Sequence, residues 1–143
     1  MTRALGLDLG SVRIGVATSD PGRIIASPSD VITRGKDHAA DHAAIVAALE
    51  DAGATVVVVG LPKNMRGQET AAAQLVRAEA DELRALLSVP IVFWDERLST
   101  VTAQRSLIEG GVRRKQRKGS VDKVAAAVIL QSWLDAGCPG EQG

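Results

Sequence analysis

At 143 residues, the chain is long enough for one domain and too short for two ordinary ones; a domain of this length buries roughly 68–70% of its unfolded surface and folds without staples. A hydrophobic share of 45% excludes a disordered polymer, and the single cysteine, Cys138, excludes an internal disulfide framework and a CxxC-type zinc site. The aromatic residues, Phe93, Trp94 and Trp133, are too few to stack successive bases, and the balance of 17 basic against 17 acidic residues at first argues against a nucleic-acid partner.

In chain order, residues 4–9 and 13–18 are short apolar runs parted by Gly10 and Ser11, which predicts a hairpin. A third run, 24–32, contains Pro28 and is expected at a sheet edge. From Asp37 the pattern turns helical, with Ile45, Ala48, Leu49 and Ala52 on one face and Gly53 as the stop. Residues 55–59 are an unbroken β-branched run, the mark of a central strand covered on both sides. Residues 60–67 read as a loop, and a helix follows with Ala72, Leu75, Val76, Ala80, Leu83, Leu86 and Leu87 on one stripe. Another strand, 90–94, runs into Asp95 and Glu96. A helix capped by Ser99 or Thr100 is expected to end at Gly110, and a final helix covers 120–135.

This order predicts an α/β fold: a mixed sheet, built from an antiparallel three-strand meander plus two parallel strands, flanked by helices. Residues 1–137 are expected to form a single domain and 138–143 a frayed tail. The longest apolar stretch, 124–130, falls far short of the roughly 18–20 residues that span a bilayer. Asp8 also arrives too early for a signal-peptide core, so the chain is expected to be soluble and cytoplasmic.

Three carboxylates stand out of place. Asp8 interrupts an apolar strand, where a carboxylate must be paired or ligate a metal; the alternative is a turn-capping Asp that bonds the amides of Gly10 or Ser11. Asp95 and Glu96 leave a strand on opposite sides, so at most one joins Asp8. Glu96 shares its side with apolar Val92 and Trp94 and is the first choice, Asp95 the second. Asp122 opens the last helix, where acidic residues are common, yet its face continues through Ala126, Ile129 and Trp133. Two strands and a helix bearing three carboxylates offer the hard oxygen ligands that Mg²⁺ or Mn²⁺ takes, and paired ions of this kind cleave phosphodiesters without a nucleophilic side chain. His38 and His42 stand at i, i+4, a spacing that binds zinc, but no third ligand is evident and an exposed pair is expected.

The charge balance is a cancellation. Arg113, Arg114, Lys115, Arg117 and Lys118 hold five of the 17 basic residues, so the rest of the chain has five more acidic than basic residues. A basic arm beside the carboxylates favours phosphate binding over a merely solvated loop. Arg13, Lys63, Asn64, Arg66 and Arg97 are further candidate phosphate ligands.

Residues 6–10 (GLDLG) with 13–17 (RIGVA), 60–67 (GLPKNMRG), 95–100 (DERLST) and 122–130 (DKVAAAVIL) resemble, in order and over nearly the whole chain, the motif set of the YqgF/RuvX family. The resemblance implies a ribonuclease H-like fold and a metal-dependent nuclease with Asp8, Glu96 and Asp122 as acidic metal ligands. It also implies work in ribosome biogenesis, on the 5′ end of pre-16S rRNA and with a pre-ribosomal particle as partner, or else resolution of Holliday junctions by a dimer. Two readings of other classes stand beside it. One is a nucleotide-binding protein, since residues 6–10 also resemble the first phosphate motif of actin-like ATPases and sugar kinases. The other is a non-catalytic RNA-binding ribosome-assembly factor.

Overall fold

The computed structural model describes residues 2–98 and 114–140, with 114–122 as helix backbone. Five strands form one sheet in the order β3-β2-β1-β4-β5: β1 (Arg3–Leu9), β2 (Arg13–Ser19), β3 (Ala26–Thr33), β4 (Ala54–Leu61) and β5 (Ile91–Asp95). Strands β1 to β3 are antiparallel neighbours, whereas β4 lies parallel to β1 and β5 parallel to β4. Helices α1 (His38–Ala52), α2 (Ala71–Arg84) and α3 (Arg114–Asp135) cover the sheet, and a 3-10 turn, Glu96–Leu98, follows β5. This is the mixed sheet that the order of runs predicts.

Local chemistry sets the boundaries. Pro28 sits on edge strand β3, where the register slips between Val16 and Ala17 of β2. The Asp37 side chain accepts from the Ala40 amide to start α1, and Gly53, at φ 63°, ends it in the left-handed conformation that favours glycine.

Strand alternation gives the sheet two unlike faces. On one, Leu5, Leu7, Ile14, Val16, Val57 and Val59 pack with Ile45 and Leu49 of α1 and Val76 and Leu83 of α2. On the other, Ala4, Ala17, Val56 and Val58 meet Ala125, Ala126, Ile129, Leu130 and Trp133 of α3. There α3 lies almost on the backbone: a Cβ added to Gly6 would stand 2.8 Å from Leu130 Cβ and 3.0 Å from the Ala126 carbonyl oxygen. The alanine run makes that approach sterically open.

Two expectations are corrected. The last helix starts at Arg114 rather than at residue 120, so Arg114, Lys115, Arg117 and Lys118 belong to helix rather than to a loop arm; Arg, Lys and Gln are good helix formers and carry it across Gly119. The buried stripe of α2 is Ala73, Val76, Glu79, Ala80 and Leu83, and Leu75 and Leu86 face outward. After α3, the Trp133 indole donates to the Pro139 carbonyl at 2.8 Å and the Cys138 amide to the Trp133 carbonyl at 3.1 Å. The helix expected over 99–110 and residue Arg113 lie outside the described residues.

Candidate functional site

Asp8 is 5% exposed near the end of β1 and shares the α3 side with Ala4 and Gly6. The β1–β4 register pairs Gly6 with Val58 and Leu7 with Val59 and runs on towards Gly60. Glycine at position 60 leaves a recess: a Cβ there would stand 3.0 Å from Glu96 Oε1, 3.2 Å from Glu96 Cγ and 2.5 Å from Ile129 Cδ1. The Glu96 side chain therefore lies over Gly60 on the same side of the sheet as Asp8.

Helix α3 runs opposite to β1. In its last turns Gln131 accepts from the Ala26 amide at 2.8 Å, at the start of β3, which pairs with the end of β2. Its earlier turns therefore lie towards the Asp8 end of β1. Position 122 falls one turn before Ala126, which stands over Gly6. The side chain of Asp122 lies outside the described residues.

Asp95 turns the other way. Arg97 donates to it from the backbone at 2.9 Å and from its guanidinium at 2.7 Å, and Lys63 Nζ stands 4.0 Å away. Burial alone would raise the Asp95 carboxyl, but the bonds from Arg97 outweigh it and hold the group below its ordinary value. Arg97 in turn packs under Gly67, which adopts φ 82°. Asn64 Oδ1 accepts from the amides of Arg66 and Gln68, both at 2.9 Å. Asp95, Lys63, Asn64 and Arg97 thus shape the loop between β4 and α2, while Met65 and Arg66 project outward from it. Arg13 opens β2, half-buried, opposite Thr33.

The opposite face holds a cluster whose composition the sequence does not announce. Arg34 donates to both oxygens of Glu79 at 2.7 Å, to Asp41 at 3.2 Å and to the Gly10 carbonyl at 2.8 Å. His42 Nε2 lies 2.8 Å from Glu79 Oε2, and His38 Nδ1 lies 2.9 Å from Glu82 Oε2. The expected exposed histidine pair is half right: His38 is exposed, whereas His42 is 2% exposed. Burial alone would raise Glu79; the bonds from Arg34 and His42 prevail and lower it. Arg34, Asp41 and Glu79 are the residues that sequence reasoning missed. The available signal was Glu79 on an apolar stripe, where a carboxylate requires partners.

A family model described as RuvX: Holliday junction resolvase matches residues 2–136. A Paracoccus denitrificans protein named "Putative pre-16S rRNA nuclease" is 51% identical over 130 residues, covering 91% of this chain and 82% of its own. A Rhodococcus erythropolis protein of the same name is 44% identical over 137 residues, covering 93% and 77%. Among solved structures, T. thermophilus RuvC in complex with Holliday junction substrate superposes with a TM-score of 0.61 at 16% identity over 97% of each chain. The yeast mitochondrial Holliday junction resolvase Ydc2 gives 0.52 at 16% identity over 93% of this chain and 78% of its own. At such identities these two likenesses speak for the fold, and it is the sequence matches that carry membership. This chain belongs to the RuvX family.

Proposed function

We propose that this chain is a metal-dependent endonuclease that cleaves phosphodiester bonds in structured RNA, at the 5′ end of pre-16S rRNA, in the cytoplasm. One observation carries the reading: a buried carboxylate on β1 and a carboxylate folded over Gly60 share one side of the sheet, at the end towards which the first turns of α3 lie. Asp8, Glu96 and Asp122 would hold Mg²⁺ or Mn²⁺. An all-carboxylate donor set suits such hard ions, and the recess at Gly60 gives Glu96 room to lie against the sheet. Bound there, the ions supply an activated water and charge stabilisation for the leaving oxygen.

The chain's own residues position the substrate. Asp8 is anchored on β1 and Glu96 just past β5, with β4 between the two strands. Arg114, Lys115, Arg117 and Lys118 lie on the opening turns of α3, and with Arg113 they would track the phosphate backbone towards the carboxylates. Arg66, on the loop between β4 and α2, adds a cation to the same task, and Arg13, Lys63 and Arg97 complete the basic set. Names of the relatives favour pre-16S rRNA, and the family description favours a four-way DNA junction.

The deciding experiment offers the purified protein a 5′-extended pre-16S rRNA and a four-way DNA junction side by side, with Mg²⁺, Mn²⁺ or EDTA. The expected result is metal-dependent cleavage of the RNA that Asp8→Asn abolishes. Cleavage of the junction alone would transfer the same chemistry to DNA. Undiminished cleavage by a folded Asp8→Asn protein would overturn the mechanism.

A further inference from the structure

His38 and His42 on α1 and Glu79 on α2 each offer one ligand atom, and the three atoms lie within 4.8 Å of one another. We propose that they form a second metal site, for Zn²⁺ or a similar borderline transition ion, which ties α1 to α2 on the face of the sheet away from Asp8 and Glu96. The proposal is independent of the nuclease reading.

Donor chemistry chooses the ion. Two imidazoles and one carboxylate suit Zn²⁺, Co²⁺ or Ni²⁺ and are poor ligands for Mg²⁺, which prefers oxygen. Zinc bonds of roughly 2.0–2.2 Å in a tetrahedron set ligand atoms a little over 3 Å apart. The His42 Nε2 to Glu79 Oε2 distance of 2.8 Å needs only a small opening. His38 is half-exposed and closes the third side by rotating its ring.

Glu79 makes its hydrogen bonds to Arg34 and His42, and His38, one turn from His42, makes its own to Glu82. The His38 ring nevertheless lies beside that of His42, their centroids 5.2 Å apart. Glu82 holds His38 through Nδ1, an arrangement in which one imidazole nitrogen faces a carboxylate and the other is left for an ion. Entry is open as well: a cavity of about 310 Å³, lined by Leu9, Gly10, Arg34, His38, Leu75 and Glu79, reaches the cluster.

Coordination needs a free nitrogen lone pair. Where His42 donates from Nε2 to Glu79, the hydrogen moves to Nδ1 and the imidazole stays neutral, with Nε2 open to the ion. Arg34 keeps Glu79 Oε1 and the Gly10 carbonyl and gives up its bond to Oε2, which turns to the ion.

The test uses the full chain carrying Asp8→Asn, Glu96→Gln and Asp122→Asn, which removes the other metal-binding candidates, stripped of metal and titrated with Co²⁺ and then Zn²⁺. The expected result is one equivalent bound, with the visible absorption of tetrahedral Co²⁺ bleached by Zn²⁺ and a raised Tm, while the same concentration of Mg²⁺ changes nothing. His38→Ala, an exposed substitution that changes the Tm in EDTA only slightly, is expected to weaken binding about 10–100-fold. No stoichiometric Co²⁺ spectrum, or equal affinity in His38→Ala, would overturn the proposal.

Discussion

The two faces of the sheet solve opposite problems. Beneath α3, side chains are deleted: Gly6 and Gly60 carry none, and the space goes to Leu130, Ile129 and a carboxylate. Beneath α1 and α2, large aliphatic residues fill the space, and Arg34, Asp41, His42 and Glu79 are joined in a hydrogen-bonded network. Buried charge is neutralised from within on the second face. On the first, Asp8 and Glu96 are brought to one side of the sheet, over the recess at Gly60.

Substitutions can break that division, and the largest effect should come from the second face. Glu79→Ala takes the carboxylate from buried His42 and leaves Arg34 with Asp41 and the Gly10 carbonyl, and removal of one partner of such a buried pair costs about 3–5 kcal/mol. Urea denaturation is expected to show that loss, while cleavage per folded molecule stays at the wild-type level. Asp8→Asn should do the reverse. Cleavage is expected to fall on the order of 10²–10³-fold, and Tm in metal-free buffer should hold or rise, because one of two like charges is gone.

Gly60→Ala sharpens the comparison because it touches both roles. The new methyl group collides with Ile129 and crowds Glu96, so an overpacking cost of about 1–3 kcal/mol should accompany a loss of cleavage in the folded fraction. If stability falls and cleavage does not, the recess serves packing alone.

The smallest effect is in pH. Glu79 lies below its ordinary 4.5 when folded, so its contribution is complete above 4.5 and fades as pH falls through the folded value. His38, raised above its ordinary 6.5 by its bond to Glu82, contributes fully below 6.5 and loses that contribution as pH rises through the folded value. The cluster should therefore stabilise most between these two values. His38→Ala should flatten the alkaline limb only slightly, since that pair is half-exposed and screened.

The sequence makes part of this plain. Alternation sends Asp95 and Glu96 to opposite sides, and the apolar residues Val92 and Trp94 on the side of Glu96 single it out as the one that lies over Gly60. Pro28 announces its edge for an equally local reason, the missing donor. Glu79 is different: its partners Arg34 and His42 lie 45 and 37 residues away, and no periodicity reveals which helix crosses which. The α2 stripe was misaligned for the same cause, since Leu75 matches the apolar pattern while Glu79 takes the buried position. The start of α3 also resisted reading, because a basic run serves equally as a solvated loop or as helix.

The edges of the sheet carry one further consequence. Pro28 and the register slip interrupt the outer rim of β3, and at the other rim β5 is five residues long. There Phe93 is covered by the guanidinium groups of Arg77 and Arg84, at 4.7 and 5.4 Å from its ring. Neither rim offers a long flat ladder for another strand to extend. With no net charge to keep copies of the chain apart, the interrupted rims are what limits edge-to-edge pairing.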